Sequence, residues 1–510
     1  MPPSSPPDAA DRPESLWQRT SGIIPTDSAA DRTDVVVVGA GLTGLATAVM
    51  LARRDRRVLV LEARRVGAVT TGNTTGKLSL LQGSVLSGMR ARTGDDVIRA
   101  YLEAGSAGQA WIREVADGDP ALIQTRTAFT YATSPEGDDT VAREAEAMAA
   151  AGMPVEVEGP RADLGLPFEF TSAIRLADQS QLHPLRLLTR LAAELRRRGG
   201  RIVEGARVTG VDVSEDGVRV RSRAGEVAAR LVVLATGTPI LDRGLFFAKL
   251  VPSRSLAAAY RLPQGRRPPT GMYLSVDPKT RSLRGAPAGP GSELLIAGGG
   301  GFVTGRVDSV REMRAELDSW VVTHFPGAVR ETWWAAQDYR MVSHVPFAGP
   351  LPRGGGRIYA ATGYNKWGMT NAAAAALAMT GHIVGEEPDW AEQLRTSHIS
   401  LSSAGEAVGA NAEVAGHLVG GWARAGVTGA AEGPPAEGAG RVARSGVTPV
   451  AESTVGGVTC RLSAVCTHLG GIVSWNDAER TWDCPLHGSR FAADGRLLEG
   501  PAVADLGRAE

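Results

Sequence analysis

The first strongly apolar run begins at Val35: four consecutive valines, glycines at 39, 41 and 44, then apolar positions as far as Ala52. An unbroken apolar run predicts a strand covered on both faces, and the stretch behind the glycines predicts a helix. A second run, Val58 to Leu61, predicts the returning strand of a βαβ unit. By length alone Val35 to Ala52 could be scored as a membrane span, but its three glycines and two threonines read better as strand, turn and helix, so no membrane span is expected. Further on, "LHPLRLLTRLAAELRRRGGRIVEGARVTGVDV" has the helical period. It leads through Gly199 and Gly200 into a strand around Val208, and "ARLVVLATGT" predicts a strand ending at Thr236 and Gly237. "RIYAATGYNKWGMTNAAAAALAMTGHIVG" predicts a strand, a turn at Gly363 and an alanine-rich helix whose first residues are Gly368, Met369 and Thr370. From Trp390 to about Gly426 strand character gives way to a helical pattern. The segment "GAAEGPPAEGAGR" then reads as a linker before a small, mainly β, C-terminal part.

Composition narrows the ligands more than the fold. At 510 residues the chain exceeds what one hydrophobic core serves, so two or three domains are expected. Lys+Arg and Asp+Glu are both 55, and a formal net charge of zero gives no broad positive field for nucleic acid or anionic lipid. The N-terminus shows no basic start followed by an apolar segment, and the three cysteines all lie after residue 459. Neither a secretory signal nor a disulfide framework fits that pattern, so a cytoplasmic location is expected.

The glycine run carries the first chemistry. Gly39 permits a tight turn, Gly41 lets backbone approach a pyrophosphate, and Gly44 lets helix pack on strand, with the phosphate on the helix N-terminus. Glu62, 23 positions after Gly39, is placed to accept hydrogen bonds from ribose hydroxyls and would disfavour a 2′-phosphate. FAD or NAD fits. No second glycine-rich βαβ unit stands between residues 100 and 330, and "IAGGGGFVTG" has no suitable helix behind it, so no separate NAD domain is expected; that the one nucleotide is a flavin is what the resemblance given below implies. A helix N-terminus at Trp367, Gly368, Met369 and Thr370 would form a backbone cradle stabilising negative charge on a reduced flavin ring.

The second chemistry lies in "CTHLGGIVSWNDAERTWDCPLHGS". Cys466 and His468 form CxH, Cys484 and His487 form CxxH, and 15 residues separate His468 from Cys484. Zinc also takes two Cys and two His, but zinc fingers usually pair CxxC with HxxxH. Mixed pairs suit a Rieske [2Fe–2S] cluster, in which one iron takes both thiolates and the other both imidazoles. Cys460, six residues before the first ligand, reads as a small buried thiol.

Helix, strand and "ATGT" ending resemble the FAD-binding domain of the D-amino-acid oxidase superfamily, and "ATGY", "WGMT" and the alanine helix follow in its order. With "THLGG" and "PLHGS", the whole chain after residue 15 resembles FAD-dependent oxidoreductases of that superfamily with a C-terminal Rieske domain, of the gamma-glutamylputrescine oxidase-like kind. "TTGNTTGKLSLLQG", "QLHPLRLL", "PSRS", "RSLRG", "LLIAGGGGFVTG", "WWAAQDY" and "NKWGMT" belong to the same resemblance. It implies an α/β Rossmann-like FAD domain, an α+β substrate domain and a small all-β Rieske domain. It also implies that the strand near Val208 flanks the adenine and that Thr236 and Gly237 touch the FAD. The expected division is an N-terminal extension (1–30), FAD-binding segments 31–95, 176–245 and 341–395, substrate segments 96–175 and 246–340, a helical linker 396–426 and a Rieske domain 427–510.

The respiratory Rieske proteins tie their two loops with a disulfide, where this chain has Gly471 and Leu486. Their serine is present as Ser489, but their tyrosine two residues on is Phe491, which predicts a lower reduction potential. A Rieske oxygenase would need further histidines for a mononuclear iron, and none follows His487. No cysteine precedes Cys460 and the first histidine is His183, so the FAD is expected to be non-covalent.

The expected function is oxidation of a small-molecule amine or amino acid, with electrons leaving singly through the cluster to an acceptor, a protein or a quinone. Lys77 and Lys366 are candidate cations beside the flavin. Arg254, Arg284, Tyr339 and Arg340 are candidates for the substrate pocket, since an arginine can clamp a carboxylate with two hydrogen bonds. Ser343 and His344 stand where Asp followed by Gly is common in the family, so the family's substrate need not transfer. Two rival readings stay open: an electron-transfer reductase feeding a separate oxygenase, and a non-enzymatic redox sensor or binding module.

Overall fold

The computed structural model describes residues 12–289, 291–396, 398, 401–427, 433–446 and 448–509; residues 1–11 of the expected extension, 397, 399 and 400 of the expected helical linker, and 428–432 of the expected Rieske segment lie outside them. Val35–Val38 is the centre of a six-stranded sheet and is covered on both faces, which is why it reads as four valines. Val58–Leu61 and then Arg201–Val203 lie on one side of it; Leu231–Leu234, Ile358–Thr362 and the antiparallel edge strand Phe347–Pro350 lie on the other. The helix Leu42–Ala52 is buried along its whole length, packed against the alanine-rich helix Gly368–Val384 and the helix Pro184–Arg197. Alanine suits that place, because small side chains let two buried helices approach. A three-stranded meander from Val208 to Ala229 sits beside this sheet.

A second, nine-stranded sheet is built from segments far apart in the chain. Leu250–Arg261 is its pivot, paired along its length with Val329–Met341 on one side and Ser292–Val303 on the other. The short strand Lys77–Leu78 closes its far edge against Ser172–Leu182. Near the N-terminus the short helix Leu16–Thr20 is capped by Ser15, whose hydroxyl donates to Gly72 O at 2.5 Å, and Trp17 is buried.

The C-terminal part has two small antiparallel sheets, Gly440–Ser445 with Thr448–Val455 and Val458–Ser463, and Ser474–Asn476 through Leu497–Glu499. It is reached by one helix, Leu401–Val427, which leans on both parts of the molecule. Glu406 meets Arg92 and Arg340, Asn411 Nδ2 donates to Ala248 O at 2.9 Å, and Trp422 Nε1 donates to Gly470 O at 3.1 Å.

Candidate functional site

The glycine run opens onto a long cavity. Gly39 has φ +102°, and a Cβ there would stand 2.4 Å from Ala235 O; a Cβ on Gly44 would stand 1.9 Å from Gly39 O. Only glycine brings the strand end, the neighbouring strand and the helix this close. Helix Leu42–Ala52 starts with no side-chain cap on Gly41, and Thr71 Oγ1 takes the Leu42 N–H at 3.1 Å, so the next backbone donors of that first turn remain open. Glu62 lies on the same wall, 8% exposed, its carboxylate accepting from Ala40 N and Arg64 N, each at 2.8 Å. Burial raises its pKa against the pull of those bonds. Two of its four lone-pair positions are used, which leaves acceptors for sugar hydroxyls.

From Glu62 and Val208 the cavity runs past Thr236 and Gly237 to Gly368 and Met369. The uncapped start of helix Gly368–Val384 faces that end. A close-fitting cradle, an open helix N-terminus and a buried ribose-type carboxylate suit a dinucleotide. The other expected members of the cradle are held elsewhere. Trp367 is the residue before the helix, Thr370 is buried and donates to Ser79 O at 3.2 Å, and Gly363, with φ +81°, makes the turn against Met341.

Lys366 faces the cavity, with Nζ donating to Ser255 Oγ at 2.8 Å. Its backbone N–H donates to Asp338 Oδ2, a residue the sequence reading passed over. Asp338 is half-buried and lines the cavity. Burial pushes its pKa up to about 6, opposed by the N–H groups of Tyr339 and Lys366 and by the Lys366 charge. Lys366 is shifted down, by desolvation first, with Asp338 opposing.

Three of the four substrate candidates and one lysine are corrected. Arg254 is fully buried in an ion pair with Glu479 at 2.6 Å and lies 3.6 Å from Glu499, both in the C-terminal part. Arg284 spends its guanidinium on the carbonyls of Thr75, Gly76, Leu182 and Gly285. Arg340 is engaged by Glu406 and His344. Lys77 points into the second sheet, donating to Tyr273 O at 2.6 Å and Ser282 Oγ at 2.8 Å. Each of these cations is paired inside the protein, and none of them lines the cavity. Tyr339 alone of the four lines the cavity.

The two cluster loops are mirror constructions. Cys466 O accepts from Gly470 N at 3.1 Å, and Cys484 O accepts from Gly488 N at 3.1 Å; Cys466 N donates to Gly471 O and Cys484 N to Ser489 O, each at 2.8 Å. The four candidate ligands stand in two pairs: the thiols of Cys466 and Cys484 hydrogen-bond one another, and the rings of His468 and His487 are 5.1 Å apart. That thiol contact draws the Cys466 pKa down to about 7, helped by the His468 and Leu469 N–H groups and the Ser489 hydroxyl. Burial lowers both histidines, His487 to about 4, which favours the neutral ring in each. The Nδ1 atoms of both are buried without a hydrogen-bond partner. Two thiols and two orphaned neutral imidazole nitrogens fit a two-iron, S₂N₂ donor set. Among the described residues no three His, Cys, Asp or Glu close on a single ion, whereas such a cluster needs only two protein donors per iron. Gly471 packs on Leu486, and the three cysteines form no disulfide. Phe247, from the first part of the chain, sets its ring edge-on against His468 and His487 at 6.3 and 5.5 Å.

The loops are docked on the cavity. Gln337 Nε2 donates to Tyr339 Oη at 2.9 Å and to Gly488 O, one residue past His487, at 2.8 Å. Leu498, Glu499, Gly500, Ala502 and Val503 line the nucleotide cavity itself. Nothing in the sequence motifs signals this wall.

A family model described as "FAD dependent oxidoreductase" (DAO) matches residues 34–381, and one described as "Rieske [2Fe-2S] domain" matches 442–509. A Bacillus subtilis (strain 168) protein named as a Rieske 2Fe-2S iron-sulfur protein, YhfW, is 29% identical over 506 residues, 98% of each chain. The glycine oxidase of Geobacillus kaustophilus superposes with a TM-score of 0.59 at 20% identity, over 73% of this chain and 100% of its own. The L-proline dehydrogenase of P. horikoshii gives 0.58 at 18%, over 72% and 98%. At such identities these two structures establish a shared fold.

Proposed function

The chain belongs to the DAO family of FAD-dependent oxidoreductases and carries a C-terminal Rieske domain, and from that premise we propose that it oxidises the C–N bond of an amine or amino acid and passes the electrons singly through the cluster to an external acceptor. The DAO domain binds FAD and the Rieske domain binds a [2Fe–2S] cluster. The flavin supplies two-electron chemistry and the cluster one-electron transfer. One observation carries the reading: Gln337 joins the cavity residue Tyr339 to the loop of His487 by two hydrogen bonds, so the two cofactor sites adjoin within one molecule. Cys466, His468, Cys484 and His487 would hold the cluster, and Gly39, Gly41, Glu62, Val208, Gly368 and Met369 the FAD. By their names, two proteins sharing the fold act on glycine and L-proline, which favours a small amine or amino acid here.

An amine gives up hydride only when neutral. Asp338, on the cavity wall with a pKa raised to about 6, is placed to take the ammonium proton, and Lys366 puts a cation beside the same space. The acceptor is a protein or a quinone reached at the cluster's outer edge, where His468 is partly exposed.

The test is anaerobic mixing with a panel of amines, N-methyl amino acids and amino acids, following flavin absorbance and the cluster by electron paramagnetic resonance. A member of the panel should bleach the flavin and then raise the reduced-cluster signal. Bleaching by NADH and by no amine would replace this reading with an electron-transfer reductase.

A further inference from the structure

Residues 497–503 belong to the Rieske domain by sequence and to the nucleotide cavity by position. From the FAD side the segment is anchored by Arg207, whose Nη2 donates to Leu497 O at 2.8 Å, and by Tyr339, whose hydroxyl donates to Gly500 O at 3.2 Å. Arg207 itself lines the cavity next to Val208. From the cluster side it is anchored by Arg490, which donates to Glu499 at 2.7 Å, and by Ser489, whose Oγ accepts the Ala502 N–H at 3.0 Å. Ser489 and Ala502 are almost wholly enclosed, at 0% and 2% exposure. The Ser489 hydroxyl also bonds to the Cys466 sulfur. An unbroken path therefore leads from a cluster ligand, through one hydroxyl, into a residue on the cavity wall.

We propose that segment 497–503 is part of the FAD-binding site, and that Ser489 couples it to the cluster so that FAD occupancy and the state of the cluster influence one another. A hydroxyl that donates to a sulfur becomes a better acceptor on its other side, so the two hydrogen bonds of Ser489 reinforce one another. A cluster that holds Ser489 in place holds Ala502 and the wall with it. Binding energy shared between two sites is reciprocal: whatever the cluster contributes to FAD affinity, FAD contributes to the cluster. Ser489 acts as a positioning residue, since it touches Cys466 and the wall of the cavity.

The experiment uses the full-length holoenzyme without substrate, so it stands or falls separately from the amine-oxidation reading. FAD is removed by dialysis against bromide with the cluster left intact, and the cluster's paramagnetic resonance spectrum and midpoint potential are recorded before and after, then again on reloading FAD. The expected result is a reversible change in the spectrum and a potential shift of about 59 mV, the equivalent of a tenfold difference in FAD affinity between the oxidised and reduced cluster. In parallel, Ser489→Ala is expected to weaken FAD binding about tenfold by fluorescence titration, whereas Ser489→Thr, which keeps the hydroxyl, retains it. Cluster absorbance and circular dichroism identify variants that are folded and loaded. A spectrum and potential indifferent to FAD, or a folded Ser489→Ala protein with unchanged FAD affinity, overturns the proposal.

Discussion

Arg254, on the pivot strand of the second sheet, and Glu479, on a turn of the Rieske domain, form an ion pair at 2.6 Å with the arginine fully enclosed. Around it Arg490 meets Glu479, Asp483 and Glu499, so two arginines and three carboxylates interlock across the junction of the two domains. Removing one partner of such a pair leaves a buried charge uncompensated, at a cost of about 3–5 kcal/mol.

Arg254→Met is accordingly expected to loosen the docking of the two domains. It should lower the melting temperature, slow electron transfer from flavin to cluster, and leave flavin reduction by substrate nearly intact. Replacing both partners, Arg254→Met with Glu479→Gln, should recover much of the stability, because no charge is then stranded. Calorimetry and stopped-flow spectroscopy of both variants check this.

Asp338 gives a pH signature. Its folded pKa of about 6 lies above the unfolded 3.8. Between those values the folded state holds the extra proton, so stability falls as pH rises and the cost is fully present above pH 6. Because the carboxylate opens onto a cavity, the cost is about 1–2 kcal/mol, below the roughly 3 kcal/mol of a fully enclosed acid with that shift. Asp338→Asn should thus gain on the wild type in melting temperature from pH 4 to pH 7. It should also lose an inflection near pH 6 in the rate of flavin reduction.

Lys77 tests a correction. Burial first, and Arg284 second, push its pKa down to about 7 from an ordinary 10.5. The unfolded chain binds the extra proton between those values, so this lysine makes the fold more stable as pH rises from 7 toward 10.5. Lys77→Met should abolish that rise, measured as melting temperature against pH, and leave FAD affinity and flavin reduction within about twofold. A hundredfold loss of flavin reduction with FAD bound would return Lys77 to the active site.

Phe491 is fully buried in the core that also contains both ligand cysteines. Phe491→Tyr offers the reduced cluster one more donor. One hydrogen bond of about 1 kcal/mol in favour of the reduced form corresponds to roughly 40 mV for a one-electron couple. The midpoint potential should rise by that order in a redox titration, from a wild-type value below that of respiratory Rieske centres.

What was legible in the chain is what is local. The strand, turn and helix around Gly39, Gly41 and Gly44 were legible because the three are consecutive and the steric demand is written into them. The two loops holding Cys466 with His468 and Cys484 with His487 were legible because each carries its own pair in a short stretch of sequence. The arginines were not: the partner of Arg254 lies 225 residues away, and no spacing rule connects them. Asp338 was passed over between a glutamine and a tyrosine because its importance comes from the cavity it borders. The wall made by 498–503 was invisible for the same reason, since docking of one domain on another leaves no periodic trace.

Leu486 fills the space against Gly471 where the respiratory proteins have their disulfide, with side-chain carbons that would lie 2.6 Å from a Cβ there. An apolar contact now holds the two loops, and it needs no oxidant to form and no protection from reductant afterwards. No bond between the loops has to be oxidised for this iron centre to mature, and a thiol reductant that would open a bridged centre finds no bridge between them here.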